Sequence, residues 1–206
     1  MKQMVSICLA AALGLGLLAG CGEKLAPSQS DAQPESGSQS VSGSRSEQES
    51  ASTLGALASF TAGTLDGGSF TPEDIGAKDV TVLNFWALSC GPCIAELPDL
   101  AEFAAALPDN VQLVTVCLDG SGNEEAAREV LEQAGFEGVT IIAGDGDMGA
   151  LANSLMYTPT TVFADSEGSL VGSAIIGRQA DLSEAYLAAV NQVLAAGGKD
   201  EISLES

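Results

Sequence analysis

Apolar positions along residues 54–206 follow two different spacings, and the changes between them divide this part of the chain into strands and helices. Short apolar runs bounded by turn-forming residues are typical of strands, and apolar residues three and four positions apart are typical of helices. The predicted strands are Phe60–Leu65 in an opening hairpin with its turn at 66–68, Val80–Trp86, Val111–Leu118, Val139–Ile142, Thr160–Ala164 and Leu170–Ile176. The predicted helices are Pro92–Leu107, Glu124–Ala134, Met148–Leu155 and Leu182–Leu194. This alternation predicts an α/β fold, with a sheet covered by helices.

Two local signals refine the prediction. Pro98 lies inside the helix Pro92–Leu107, and because the apolar spacing resumes beyond it we expect a kink rather than the end of the helix. The segment 165–168 has the sequence Asp-Ser-Glu-Gly, which favours a hairpin turn between the last two strands.

The N-terminal residues read as a targeting segment. Lys2 supplies positive charge, Met4–Leu18 is apolar, and Leu18-Ala19-Gly20-Cys21 is a small-residue cleavage pattern. This pattern is similar to a bacterial lipobox, which predicts a signal peptide over residues 1–20 and lipidation of Cys21. An uncleaved transmembrane anchor is the alternative, although the apolar run is short for a full span. Either way we expect the remaining chain outside the cytoplasmic membrane, where disulfides are permitted.

Residues 21–53 are rich in Ser, Gln, Glu and Gly and have almost no large apolar side chains. Such a segment cannot bury enough surface to offset the entropy of ordering it. We therefore expect a disordered tether that follows the lipidated cysteine and holds the domain off the bilayer. Residues 54–206 have the length of a single domain with a sizeable core.

Charge excludes some partners. The chain has 28 acidic and seven basic residues and a formal net charge of −21. Nucleic acids and anionic lipid surfaces would be repelled by this charge. A solvated acidic surface is the simplest interpretation, and a specific basic partner is the alternative.

The segment most informative about chemistry is Cys90-Gly91-Pro92-Cys93, which follows a predicted strand and begins a predicted helix. The free amide groups of a helix N-terminus face the first sulfur and lower its pKa, which favours the reactive thiolate. Pro92 suits the first helical turn, where its missing N–H costs nothing. The pattern predicts a redox-active dithiol.

Two other uses of such a pair are disfavoured. A four-ligand zinc site needs a second pair of ligands, and the chain has no histidine and only Cys117 as a further thiol in residues 54–206. A three-cysteine site completed by a carboxylate stays open as an alternative. A purely structural disulfide over so short a loop would stabilise little.

Three further residues have both a functional and an ordinary interpretation. Glu96 lies one helical turn after Cys93, where its carboxylate could accept a proton from the dithiol or could simply be solvated. Trp86 could line the wall beside the thiols, or fill the core at the end of a buried strand. Cys117 ends an apolar strand and is predicted to be an inert core thiol, with a third redox thiol as the alternative.

The string VLNFWALSCGPCIAELPDL resembles the active-site segment of TlpA/ResA-like thioredoxin-fold proteins, which are envelope-anchored thiol–disulfide oxidoreductases. The resemblance continues at MYTPTTVFADSEGSLVGSAIIG and covers about residues 58–196. It implies a thioredoxin fold, with a central mixed sheet flanked by helices and an N-terminal β-hairpin extension. Ser89 is a departure, because the family usually has a large or aromatic residue there.

The resemblance also implies roles for single residues. Pro159 matches the cis-proline that faces the dithiol, and Thr158 with Pro159 would leave a strand edge open for a substrate peptide beside Cys90. Glu96 would serve as a proton acceptor or pKa modulator. Asn84 stands where thioredoxin has a buried acid, and because an amide cannot exchange protons that role would fall to Glu96.

The implied function is reduction of disulfides in envelope proteins. Cys90 would attack the substrate disulfide and Cys93 would resolve the mixed disulfide, with no metal or organic cofactor. Gly91-Pro92 is the dipeptide of strongly reducing thioredoxins, which favours reduction over oxidation. Apocytochrome c is a candidate substrate, and a membrane thiol transporter of the CcdA/DsbD type is the candidate electron donor. We expect a lipid-anchored monomer on the extracytoplasmic side of the cell membrane.

Two other functions remain open. A peroxiredoxin-type peroxide reductase would need a threonine three residues before its cysteine, where this chain has Ala87, and an arginine for peroxide. A non-enzymatic lipoprotein that binds or escorts a partner is the other alternative.

Overall fold

Seven strands and five helices occur in residues 55–204, the residues that the computed structural model describes. The predicted signal peptide, Cys21 and the predicted tether lie outside the described residues. In chain order the elements are β1 (Ala62–Thr64), β2 (Ser69–Phe70), α1 (Pro72–Gly76), β3 (Val80–Trp86), α2 (Gly91–Ala106), β4 (Val111–Cys117), α3 (Glu124–Ala134), β5 (Thr140–Gly144), α4 (Gly146–Ser154), β6 (Thr160–Asp165), β7 (Ile175–Ile176) and α5 (Leu182–Ala196).

The strands form one mixed sheet in the order β2-β1-β5-β4-β3-β6-β7. β3 pairs in parallel with β4 and antiparallel with β6, and β4 also pairs in parallel with β5. β1 pairs antiparallel with both β2 and β5, so the predicted N-terminal hairpin extends the edge of the main sheet. The predicted α/β architecture and its hairpin extension are confirmed.

Helices cover both faces of the sheet and bury β3 completely. On one face, Val80, Val82 and Trp86 pack with apolar side chains of α2, α3 and α5. On the other face, Leu83 and Phe85 pack with side chains that include those of α1 and α4. All seven residues of β3 are buried, which explains why this strand reads as a continuous apolar run rather than as an alternating one.

Most predicted boundaries lie within two residues of the observed ones. The predictions for β3 and α3 match the structure at both ends. α2 continues through Pro98, as the apolar spacing indicated.

The short helix α1 was not predicted. It has five residues, too few to show a helical apolar period. Its start nevertheless has a sequence signal, since Thr71 at the N-cap is followed three residues later by Asp74. In the structure the Asp74 carboxylate accepts hydrogen bonds from the Thr71 backbone N–H at 2.8 Å and from the Thr71 hydroxyl at 3.0 Å. Pro72 occupies the first turn, where proline is favoured.

The predicted strand Leu170–Ile176 is wrong over most of its length. Only Ile175 and Ile176 form β7, and Leu170 makes a single isolated bridge to Ala164. Gly172 has a positive φ of 76°, which takes the backbone out of the extended conformation in the middle of the predicted strand.

The turn predicted at 165–168 is confirmed. The Asp165 carboxylate oxygen Oδ1 accepts hydrogen bonds from the backbone N–H groups of Glu167 and Ser169, each at 2.9 Å. Gly168 has a φ of 78°, which a residue with a side chain rarely adopts.

Within residues 55–204, none of the helices has both the length and the apolar character needed to cross a membrane.

Candidate active site

Cys90 and Cys93 form a disulfide at the junction of β3 and α2. Their sulfurs are 1.99 Å apart and their Cα atoms 5.2 Å apart. Cys90 is the N-cap of α2, and the backbone N–H of Cys93 points at Cys90 Sγ from 3.2 Å. This is the predicted arrangement, in which the amide groups of a helix N-terminus face the first sulfur.

The two cysteines differ in accessibility. Cys90 is half-buried, whereas Cys93 is 1% exposed and belongs to the core cluster on the α2 side of the sheet. An incoming protein disulfide can therefore reach Cys90 and not Cys93.

The peptide bond between Thr158 and Pro159 is cis, as the family resemblance implied. Pro159 is buried, and its carbonyl accepts a hydrogen bond from the backbone N–H of Gly177 at 2.8 Å. The Thr158 carbonyl oxygen lies 3.5 Å from Cys90 Sγ. In the disulfide this sulfur has no hydrogen to donate, but a Cys90 thiol at the same place would have an acceptor.

Exposed apolar side chains surround this segment. Met156 is 83% exposed, Tyr157 64% and Ile176 60%, and Ile176 pairs across the sheet with Thr160. We call these three residues the apolar patch. The sequence analysis missed it, although two large apolar residues directly before Thr158-Pro159 were the available signal.

Trp86 does not form part of this surface. Its side chain is 0% exposed and packs in the same core cluster as Cys93. This buried position does not support the prediction that Trp86 contacts the substrate. It supports the alternative, in which Trp86 fills the core at the end of β3. Trp86 forms a wall behind the disulfide, and its ring N–H has no hydrogen-bond partner among the described residues.

Glu96 is 1% exposed, so the alternative of a solvated helix glutamate is wrong. Its Oε1 atom accepts hydrogen bonds from Asn84 Nδ2 at 3.2 Å and from the Tyr186 hydroxyl at 3.3 Å. Burial raises the pKa of Glu96 above its ordinary value, and the hydrogen bond from Tyr186 is the largest of the effects that oppose this. Glu96 is therefore a buried acid one helical turn from Cys93.

Tyr186 and Thr161 complete the surroundings of Glu96, and the sequence analysis missed both. The Thr161 and Tyr186 hydroxyls are hydrogen-bonded to each other, and Asn84 Nδ2 donates to Thr161 Oγ1 at 2.9 Å. Tyr186 lies 90 positions after Glu96 in the chain, so no local spacing indicated this contact.

Cys117 is an ordinary core thiol in this structure. It is 1% exposed and lies opposite Trp86 in the parallel pairing of β3 with β4. Burial, followed by the neighbouring Asp119 carboxylate, raises the pKa of Cys117 to about 12. A thiol that keeps its proton is a poor nucleophile, which supports inert packing over a third redox role.

In the described part of the chain, no three or more His, Cys, Asp or Glu side chains converge in a group that could hold a metal ion. The disulfide can by itself accept and release two electrons as a dithiol.

Comparison with protein families gives one assignment. The model of the AhpC/TSA family matches residues 55–173, more than half of the chain. The chain belongs to the AhpC/TSA family. It is also similar to a thioredoxin of Mycolicibacterium smegmatis, with 33% identity over 61 residues, 30% of this chain and 54% of that protein. The match thus spans about half the length of this curated relative.

Solved structures extend the similarity to about two thirds of the chain. DsbF of Mycobacterium tuberculosis, in mixed oxidised and reduced forms, is 28% identical, with a TM-score of 0.54 over 69% of this chain and 98% of its own. A secreted disulfide oxidoreductase of Mycobacterium tuberculosis, homologous to DsbE of E. coli, is 27% identical, with a TM-score of 0.51 over 66% of this chain and 94% of its own. The fold is therefore the predicted thioredoxin fold, and the Cys90–Cys93 pair together with these relatives supports oxidoreductase activity.

Proposed function

We propose that this protein is a membrane-anchored, extracytoplasmic thiol–disulfide oxidoreductase that reduces disulfides of other envelope proteins. The observation that carries the proposal is the half-buried Cys90 at the start of α2, 3.5 Å from the Thr158 carbonyl, with Cys93 buried behind it. The Cys90 sulfur is therefore accessible to a partner protein, whereas the buried Cys93 sulfur can react only with Cys90.

The reaction follows from this asymmetry. In the reduced protein, the Cys90 thiolate attacks a substrate disulfide, forms a bond to one substrate sulfur and releases the other as a thiolate. Cys93 then loses its proton and attacks Cys90 Sγ, which breaks the mixed disulfide and releases the second substrate thiolate. Two electrons pass to the substrate, and the Cys90–Cys93 disulfide remains. Glu96 accepts the Cys93 proton.

The surroundings of Cys90 favour a polypeptide substrate. Thr158 and Pro159 would bind an extended substrate segment beside Cys90, and the apolar patch adds side chains that a peptide can cover. Trp86, which is buried in the same core cluster as Cys93, would support Cys93 from behind.

The proposed location rests on the N-terminal sequence. Residues 1–20 would be the signal peptide, Cys21 the lipidated residue and 21–53 the tether, as in TlpA/ResA-like lipoproteins. The similarity to a secreted oxidoreductase supports an extracytoplasmic site. A domain start near residue 54 agrees with Leu57, which is 1% exposed and donates its backbone N–H to Gly168 at 2.8 Å.

The proposed direction is reduction. Gly91-Pro92 between the cysteines is the dipeptide of strongly reducing thioredoxins, and reduction requires a steady electron supply across the membrane. A thiol transporter of the CcdA/DsbD type would provide it, and apocytochrome c thiols would be one product. The domain would act as a monomer.

A disulfide-reduction assay with a protein substrate, with hydrogen peroxide as a parallel substrate, tests the proposal. We expect Cys90→Ser to abolish turnover and Cys93→Ser to accumulate a mixed disulfide that non-reducing gels detect. Membership of the AhpC/TSA family is compatible with peroxide reduction. Faster turnover of peroxide than of protein disulfide would therefore replace the proposal with that activity, and no turnover of either would favour a partner-binding lipoprotein.

A further inference from the structure

Four buried polar side chains from four different elements meet in the core beside α2. They are Asn84 of β3, Glu96 of α2, Thr161 of β6 and Tyr186 of α5, and each is at most 1% exposed. The side of the sheet on which they meet is otherwise packed with apolar side chains. Buried polar groups are costly unless they bond to one another, so such a convergence needs an explanation.

Counting hydrogens gives these contacts a direction. The Tyr186 hydroxyl has one hydrogen, and its contact with Glu96 Oε1 at 3.3 Å uses it, because an ionised carboxylate only accepts. In the contact between Thr161 and Tyr186, Thr161 is then the donor. Thr161 in turn accepts from Asn84 Nδ2 at 2.9 Å. The hydroxyls of Thr161 and Tyr186 therefore form a donor chain that starts at Asn84 and ends on Glu96 Oε1.

The two oxygens of Glu96 are consequently different. Oε1 accepts from both Tyr186 and Asn84, whereas Oε2 is buried and no donor among residues 55–204 meets it with hydrogen-bond geometry. The backbone N–H of Gln179 is near enough to the carboxylate to lower the pKa of Glu96, an effect smaller than that of Tyr186. When the carboxyl group is neutral, Oε1 keeps its two donors and the proton is on Oε2. When it is ionised, the Tyr186 hydroxyl bonds to a charged acceptor, which is a stronger bond.

We propose that Tyr186 is a positioning residue for Glu96. The Tyr186 phenol, supported by the Thr161 hydroxyl, fixes the Glu96 carboxyl group so that Oε2 takes up and releases the proton. This role rests on the proposed function, because the proton that Glu96 exchanges is the thiol proton of Cys93, which lies one helical turn before Glu96 on α2. On resolution the Cys93 proton passes to Oε2, and on re-reduction Oε2 returns it to the Cys93 sulfur.

Other charged groups near Glu96 are few. Arg178, in the segment between β7 and α5, acts on Glu96 through its positive charge and is paired with Asp99 of α2 at 3.2 Å. Cys93, on α2 itself, is bonded to Cys90 and does not titrate in the oxidised protein, so Tyr186 on α5 is the titratable neighbour that bonds to Glu96. The contacts from β3 and β6 are the neutral side chains of Asn84 and Thr161. Burial and the Glu96 charge raise the pKa of Tyr186, so the phenol stays a donor at working pH.

The first test is infrared titration of the Glu96 carboxyl group in the oxidised, full-length protein. Its band is identified by its loss in Glu96→Gln. We expect Tyr186→Phe to raise the titration midpoint by about one pH unit, because the ionised form loses a hydrogen bond that is stronger than one between neutral groups. Tyr157→Phe is the matched control, since Tyr157 is 64% exposed and should leave the midpoint unchanged. A Tyr186→Phe midpoint equal to that of the unmodified protein overturns the proposal.

A second measurement leaves Tyr186 in place, in case its replacement disturbs folding. The chain has two tyrosines, so 3-fluorotyrosine incorporated into Tyr157→Phe labels Tyr186 alone. We expect its fluorine resonance to shift with pH at the Glu96 midpoint, and to lose this titration when Glu96→Gln is added. A resonance that does not respond to the carboxyl titration contradicts the positioning role.

Neither measurement needs a substrate or a reduced dithiol. An inactive protein in which both results are as expected would overturn the proposed function and keep the link between Tyr186 and Glu96. An active protein with an unshifted midpoint in Tyr186→Phe would overturn the positioning role alone.

Discussion

At the scale of single residues, burial gives the two cysteines different roles. Cys90 is half-buried at the N-terminus of α2, with the Cys93 N–H directed at its sulfur. Cys93 is 1% exposed and lies in the core cluster with Trp86. The amide groups and the partial positive charge at the helix end stabilise a Cys90 thiolate, whereas desolvation disfavours one at Cys93.

We therefore predict that the reduced protein is alkylated at Cys90 first. At neutral pH we expect iodoacetamide to modify Cys90 at least about tenfold faster than Cys93, which corresponds to about 1.4 kcal/mol in activation free energy. Peptide mass spectrometry of briefly treated protein measures both rates. Cys117 is the internal control, because a buried thiol whose pKa is raised to about 12 should remain unmodified. Equal rates at Cys90 and Cys93 would contradict the assignment of the nucleophile.

Glu96 should make the oxidised protein less stable as pH rises. Burial raises its pKa in the folded state, so the folded protein holds this proton at pH values where the unfolded chain has lost it. This contribution to stability is complete below the unfolded pKa of about 4.3 and is lost as pH rises through the folded pKa. Glu96→Gln removes this dependence.

We expect the unfolding free energy of Glu96→Gln, relative to the unmodified protein, to increase between pH 4 and pH 7 by about 1.4 kcal/mol for each unit of pKa elevation. Urea unfolding of both oxidised proteins at the two pH values measures it. A difference that is the same at pH 4 and pH 7 would mean that Glu96 has an ordinary pKa.

At the scale of secondary-structure elements, the sequence was informative wherever one element alone determines the pattern. β3 is buried on both faces and reads as an apolar run, and α3 has a clear helical period ended by Gly135 at a φ of 72°. The prediction of a strand over 170–176 was wrong because the positive φ of Gly172 ends the extended backbone, and an apolar pattern carries no sign of such a change in conformation. The same limit applies to the site. Cys90, Cys93 and Glu96 share one helix and were predictable, whereas Thr161 and Tyr186 reach Glu96 only through tertiary packing.

The turn between β6 and the following segment gives a prediction at this scale. Gly168 has a φ of 78°, and a Cβ atom there would lie 2.7 Å from the Leu57 carbonyl oxygen. Gly122 has nearly the same φ of 79° with no atom within 4 Å of its Cβ position. Replacing Gly122 with alanine should cost only the left-handed backbone, roughly 1–2 kcal/mol.

Gly168→Ala should cost more than Gly122→Ala, by about 1 kcal/mol or more, because Leu57 is a buried core residue that must move as well. Chemical denaturation of the two variants measures the difference. Equal losses would show that the Leu57 segment adjusts freely, and that only the backbone conformation matters at Gly168.

At the scale of the whole molecule, the net charge limits how the proposed membrane anchoring could work. The net charge of −21 repels anionic lipid surfaces, so electrostatic attraction cannot hold this protein at a membrane. The proposed attachment would then come from the apolar N-terminal segment or from a lipid. A single acyl chain gives only weak, reversible binding, and stable anchoring needs more than one. The diacylated cysteine of a bacterial lipoprotein would meet that requirement at Cys21.

We therefore predict that Cys21→Ala abolishes lipid attachment. Cells fed with labelled palmitate should label the unmodified protein, and should leave Cys21→Ala unlabelled, with the variant either released from the membrane fraction or retained with an unprocessed N-terminus. Cys8→Ala is the matched control, because Cys8 lies within the predicted signal peptide and its replacement should change neither labelling nor processing. If the unmodified protein itself carries no label and keeps residues 1–20, the apolar segment is a transmembrane anchor. The oxidoreductase domain would then be held at the same membrane face by a protein segment instead of a lipid.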